Sequence, residues 1–259
     1  VAEAGGVKNV TASLAEGLQK EHYDVTVFIP FYGCTFLNEL KDFTLIPDLR
    51  ADIASEGRTY TIAYAAAHYK GVRLVFIVHS LFTAKLGVYT YTEDEQRIQA
   101  EHIPGRGHAD SNLLHVLFQK GVLEYGLKAS SVPGIIHCQD AAAALVPFIA
   151  RNDASYAHAY KDARFVLTIH NAGNAYRHEI ESAQKAASTR FTRTPFYTKP
   201  YRRALRTVFT RRTLCGLDHR IAVVRAGTDR SVRSELGRTF GRFCPPRYAH
   251  NGNYQRHFI

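Results

Sequence analysis

The run Phe165-Val166-Leu167-Thr168-Ile169, closed at once by His170 and Asn171, constrains this chain more than any other stretch. Five apolar or β-branched residues without strict alternation read as a strand buried on both faces, and such strands belong to parallel sheets. The polar pair then stands at the strand's carboxyl end, where open α/β sheets place their ligands. A second run repeats the design: Pro133-Gly134 leads into Ile135-Ile136-His137-Cys138-Gln139-Asp140, and alanines 141–144 follow. This is a short strand that ends at Asp140 and passes into a helix. One helical connection of crossover length separates the two runs, so they are expected as parallel strands with Asp140 and His170 on one rim.

Each of these residues has a plain structural use beside its functional one. Asp140 is placed either to accept hydrogen bonds from a hydroxylated ligand or to cap the alanine-rich helix. His170 is either a ligand-binding imidazole or a satisfied core histidine. At the start of the chain Gly5-Gly6 precedes a helix pattern from Asn9 to Lys20, with Val10, Leu14 and Leu18 on one face. Glycines at a helix start admit an anion to the backbone N–H groups, and they serve equally as a simple turn.

The chain between these sites fills out an α/β pattern. Asp24 to Pro30 reads as a strand, and Thr59 to Ala66 and Val72 to Val78 as two more, joined through Tyr69-Lys70-Gly71 as a hairpin turn. His79, just past the last of these, is expected to be a solvated loop residue. The stretch from Leu86 to Asp110 reads as a surface loop. Asp110 or Ser111 is then expected to cap a helix whose Leu113, Leu114, Leu117, Val122 and Leu123 form a core stripe.

Composition matters mainly for where it changes. Residues 1–190 carry 18 Lys and Arg against 20 Asp and Glu, whereas the last 69 residues carry 15 against 3. The whole net charge of +10 therefore lies in the tail, and two segments of different character meet near residue 190. Arginines there are scattered among Thr, Phe and Tyr with no sustained period, apart from a possible short strand at 220–224. The tail reads as an arginine-rich anion-binding or nucleic-acid-binding arm, or as irregular sequence left by a shifted reading frame. Cys34, Cys138, Cys215 and Cys244 show no paired or metal-ligand spacing, so structural thiols are expected and a metal site is not. No apolar run reaches the length of a membrane span, and no signal-peptide pattern opens the chain; a soluble cytoplasmic protein is the default expectation.

The order Gly-Gly, then Ile-Ile-His-Cys-Gln-Asp with an alanine-rich helix, then Leu-Thr-Ile-His-Asn resembles the amino-terminal domain of bacterial glycogen synthases and plant starch synthases. The resemblance covers roughly residues 1–185. It implies an α/β fold with a Rossmann-like parallel sheet, forming one incomplete half of a GT-B glycosyltransferase, over residues 1–188, with an irregular tail at 189–259. The implied reaction is transfer of glucose from ADP-glucose to the non-reducing end of an α-1,4-glucan, retaining configuration, without metal or separate cofactor. In such enzymes the histidine matching His170 hydrogen-bonds the donor glucose near the reacting carbon, which marks His170 as the catalytic candidate. Asn171 would support the same site, Asp140 would bind sugar hydroxyls, and Gly5 and Gly6 would belong to the loop holding the donor diphosphate. The implied partners are a nucleotide sugar and glycogen, with no membrane.

The chain departs from the family pattern at informative positions. Glu3 stands where the glycine loop has lysine, and Ala141 and Ala142 where a tryptophan and a histidine line the sugar site. The strand expected ahead of Gly5-Gly6 is missing, and the chain contains no Met, which reads as truncation or as a start at an unusual initiation codon. The expectation is a glycogen synthase homologue that is inactive as this chain. The alternatives are a glucan-binding remnant without catalysis and a protein whose basic tail binds nucleic acid.

Overall fold

A computed structural model describes residues 6–170, together with the backbone of short strands at 179–180, 205–206, 221–225 and 257–258. Helix α1 (Gly6–Lys20) leads to strand β1 (Asp24–Pro30), as the apolar spacing of Val10, Leu14 and Leu18 requires. Strands β3 (Arg58–Tyr69) and β4 (Val72–Val78) pair antiparallel from Tyr69–Val72 outward. The two residues between them, Lys70 at φ 49° and Gly71 at φ 85°, both adopt the left-handed conformation, which matches the right-handed twist of a tight hairpin. Strand β4 then pairs parallel with β1.

Strand β5 (Ile135–Gln139) and strand β6 (Arg164–Ile169) are parallel neighbours in the register Ile136 to Phe165 and Cys138 to Leu167. Both expected runs are therefore strands, side by side. The expected short strand in the tail is present as β9 (Ile221–Arg225), parallel to β6 on its outer side. Strand β10 (His257–Phe258) lies between β1 and β5, and β2 (Lys41–Ser55) pairs antiparallel with β3, so the sheet order is β2-β3-β4-β1-β10-β5-β6-β9. The remaining short strands, β7 (Glu179–Ile180) and β8 (Leu205–Arg206), form a separate antiparallel pair.

Alternation along the strands sorts the core into layers. On one side Ala15 of α1 packs with Val25, Leu74 and Phe76; on the other Leu114 and Leu117 of helix α4 (Ser111–Lys128) pack with Ile62, Val75 and Ile77. Successive residues from Leu74 to Ile77 thus face opposite helices, which is why that part of β4 needs no polar positions. A third cluster joins Ile136, Cys138, Phe165 and Leu167 to Leu123 of α4 and to Val146 and Ile149 of helix α6 (Val146–Asn152). Two buried tyrosines anchor α4 from either side: Tyr64 Oη donates to Gly121 O at 2.9 Å, and Tyr160 Oη donates to Leu123 O at 2.6 Å. Each such bond contributes about 1 kcal/mol net.

One strand was not anticipated, and three local expectations are corrected. Strand β2 was not legible, because its first ten residues follow no two-residue period: Asp42 and Asp48 sit at positive φ and the pairing shifts between Leu45 and Arg50. The expected loop from Leu86 to Asp110 contains helix α3 (Glu93–Ile98), started by a capping box in which Glu95 Oε2 accepts from Thr92 N at 2.8 Å. His79 is not merely solvated; its Nδ1 accepts from Leu81 N at 3.1 Å and caps the short helix α2 (Ser80–Thr83). Asp110 occupies the N-cap position of α4 without making a side-chain cap bond, and its carboxylate instead meets buried Lys85 Nζ at 2.9 Å. An ammonium that would otherwise be buried unpaired outcompetes a backbone N–H for the carboxylate.

Candidate active site at the carboxyl rim

Because β5 and β6 run parallel and in register, their last residues arrive together. Gln139 ends β5, Asp140 begins the four-residue helix α5 (Asp140–Ala143), and His170 follows Ile169 at the end of β6. Asp140 does not cap α5. It adopts φ 56°, and its Oδ1 accepts a hydrogen bond from His170 N at 2.7 Å. Aspartate tolerates the left-handed conformation better than most residues, and the turn aims its carboxylate across to the neighbouring strand end.

The His170 ring is fixed from the same side. Its Nε2 lies 2.7 Å from Gln139 Oε1, so with the amide in this orientation Nε2 carries the proton and Nδ1 is left as the opposite, acceptor nitrogen. Below them His137 Nε2 lies 2.7 Å from Thr168 Oγ1, a rung between the same two strands. Burial lowers the His137 pKa, and the neighbouring His170 lowers it further, so a neutral imidazole is favoured there. The rim is thus a hydrogen-bonded unit in which Gln139 and Asp140 hold one histidine by its ring and its backbone.

This unit opens on a cavity of about 1020 Å³ that is also lined by Gly6 at the start of α1. Asp140 and His170 are brought together and Gly6 lines the same cavity; Gly5 and Asn171 lie outside the described residues. Gln139 was not singled out from sequence, although its place as the last polar residue before Asp140 was a usable signal. Lys8 is the one lysine or arginine lining the cavity among the described residues. No group of His, Cys, Asp or Glu among the described residues is arranged to hold a metal ion, and no described helix is long and apolar enough to cross a membrane.

The family model of the starch synthase catalytic domain matches residues 1–219. This chain belongs to that family. Curated relatives include glycogen synthase of Lactobacillus acidophilus, 25% identical over 169 residues, and glycogen synthase 2 of Geobacter sulfurreducens, 27% identical over 172. These alignments cover 65% and 66% of this chain and 32% of either relative, so the chain spans about a third of their length. Among solved structures, the catalytic domain of starch synthase IV from Arabidopsis thaliana, bound to ADP and acarbose, superposes with a TM-score of 0.64. That match has 19% sequence identity and covers 90% of this chain and 50% of the other, which identifies the fold as one half of a GT-B glycosyltransferase.

Proposed function

We propose that this family member forms the acceptor-side half of a glucosyltransferase that moves glucose from ADP-glucose to the non-reducing end of an α-1,4-glucan. The observation that carries the reading is the rim unit, His170 held by Gln139 and Asp140 on a cavity that the first turn of α1 also lines. His170 is the residue proposed to touch the donor sugar. With Nε2 committed to Gln139, Nδ1 is the ring atom that meets a sugar hydroxyl, and it acts as acceptor while the ring is neutral. Asp140, already accepting from His170 N through one oxygen, has its second oxygen for a sugar hydroxyl.

The same rim argues against turnover by this chain alone. Departure of a nucleoside diphosphate needs concentrated positive charge, the largest catalytic contribution in such transfers. Lys8 is the sole lysine or arginine at the cavity among the described residues, and Ala141 and Ala142 offer no polar group to a sugar ring. The reading is therefore of a chain that binds glucan and needs further polypeptide for catalysis.

Cosedimentation with glycogen and incorporation of labelled glucose from ADP-glucose test this together. The expected result is saturable glycogen binding with no incorporation above background, while ADP-glucose binding, read by calorimetry, weakens about tenfold in His170→Ala through the lost hydrogen bond. Incorporation that falls when His170 is replaced would sink the claim of inactivity. ADP-glucose binding equal in wild type and in His170→Ala would remove the rim from the argument.

A further inference from the structure

Away from the rim, a second set of buried polar groups stands at the cavity in the segment 85–110, which closes on itself. Its ends meet where Lys85 Nζ lies 2.9 Å from Asp110 Oδ1 and where His108 Nε2 lies 3.0 Å from Gly87 O. Between these contacts Thr90 bridges Gly107, Tyr91 N donates to Arg106 O at 2.9 Å, and Ala109 N donates to Tyr91 Oη at 3.0 Å. A segment whose ends meet and that packs on its own side chains is a compact loop. Its hub is the buried Tyr91 ring: His102 stacks on it at 4.1 Å, His108 meets it edge-on at 4.8 Å, and Lys85 Nζ lies 5.6 Å from its centroid. The same loop presents Tyr89, Thr90, Gly107 and His108 to the cavity that Asp140 and His170 line.

His108 is the weak point of this closure. A carbonyl oxygen only accepts, so Nε2 carries the ring proton and Nδ1 keeps its lone pair. That Nδ1 is buried and has no hydrogen-bond partner among the described residues. Acid adds a proton there and makes a buried cation that shares the Tyr91 ring with the Lys85 ammonium. The nearby carboxylates are already engaged: Asp110 pairs with Lys85, and Glu95 Oε2 accepts from Thr92 N and Thr92 Oγ1. Glu95 Oε1 is buried without a partner, and it belongs to helix α3 of the same loop. We propose that residues 86–110 are an acid-released wall of the cavity: a second proton on His108 makes a cation that must reach water, the loop opens to let it, and ligand escapes. Burial holds the His108 pKa below the ordinary histidine value; Lys85 adds to this, while Gly87 O, Glu95 and Asp110 oppose it. The closed loop therefore favours the neutral ring, and the stability this gives, present above about pH 6.5, is lost as pH falls through the depressed value. The wall works in this way whichever ligand the cavity takes, so the proposal stands apart from the glucosyltransferase reading.

Hydrogen exchange read by mass spectrometry at pH 7.5 and 5.0, corrected for the pH dependence of the chemical exchange step, tests the wall. The variant His108→Gln keeps an N–H for Gly87 O and cannot take up a proton. In the parent chain, exchange of peptides within 86–110 is expected to rise about tenfold on acidification relative to peptides of β4, and in His108→Gln to stay level. ADP-glucose binding, followed by calorimetry, is expected to weaken by about the same factor in the parent and not in the variant. Loop exchange that does not rise in the parent, or that rises equally in His108→Gln, overturns the proposal. Slower loop exchange at the lower pH also overturns it, because Glu95 Oε1 has then accepted the new proton and tightened the closure. A parent that binds no ADP-glucose at pH 7.5 counts against the glucosyltransferase reading, and the exchange result still decides the wall. If His108→Gln does not fold, loop exchange in the parent must follow the titration of the His108 ring resonances in NMR spectra, and a midpoint elsewhere overturns the proposal.

Discussion

Asp140 combines two features that a mutant series separates: a left-handed backbone and a carboxylate that accepts His170 N at 2.7 Å. Asp140→Ala removes the acceptor and places a residue with no local polar compensation at φ 56°. A half-buried hydrogen bond to a carboxylate contributes about 1.5 kcal/mol, and the poorer left-handed fit adds about 0.5 kcal/mol, for a loss of about 2 kcal/mol. Asp140→Gly loses the same bond and escapes the backbone cost, partly offset by its larger unfolded entropy, and is expected to lose about 1.7 kcal/mol. Asp140→Asn keeps an acceptor oxygen and the left-handed preference and should stay within about 0.5 kcal/mol of the parent. With a urea slope of about 2 kcal/mol/M, the midpoints fall by about 1 M for Ala, about 0.85 M for Gly and less than about 0.3 M for Asn. Urea unfolding followed by tyrosine fluorescence reads all three. A glycine variant less stable than the alanine variant refutes the backbone argument, and an alanine variant as stable as the parent refutes the hydrogen bond.

Gly121→Ala should destabilise by about 1–3 kcal/mol, since a Cβ there would stand 2.7 Å from Ile62 Cδ1 and 3.2 Å from Ile77 Cγ2 in the α4 interface; a Tm within 1 °C of the parent would contradict the close packing. Burial lowers the pKa of His79, His108 and His137, so the unfolded chain takes up protons first and their contribution, present above about pH 6.5, is lost as pH falls through the depressed folded values. Tm should therefore drop from pH 7.5 to 5.5, and His137→Asn should flatten that slope; a slope unchanged in this variant removes His137 from the account. Burial also pushes the Cys138 thiol up to about 12, so iodoacetamide at pH 8 should modify Cys138 only in denaturant, with peptide mass spectrometry as the readout. Rapid native labelling would show that the third core cluster is open.

The parts of the fold legible in sequence are those whose signal is local. Strands β1, β4, β5 and β6 are apolar runs bounded by turn residues, Lys70-Gly71 marks a hairpin by conformation, and the α4 stripe repeats at helical spacing. β2 escaped because its bulge breaks the two-residue period, and α3 because its signal is a single capping box, Thr92 with Glu95, and not an apolar stripe. The rim was half legible: two polar strand ends implied that Asp140 and His170 meet, whereas Gln139 as the partner of the imidazole did not stand out.

What the sequence by itself determined is which segments become buried strands and which residues stand at their carboxyl ends, because burial on both faces demands apolar residues at consecutive positions. The tertiary structure alone decided how the polar groups are spent. Asp140 had a helix N–H within local reach and Asp110 likewise, yet one binds His170 N thirty residues away and the other Lys85. A carboxylate takes whichever partner would otherwise be left buried and unpaired, and that competition exists only after the strands have come together.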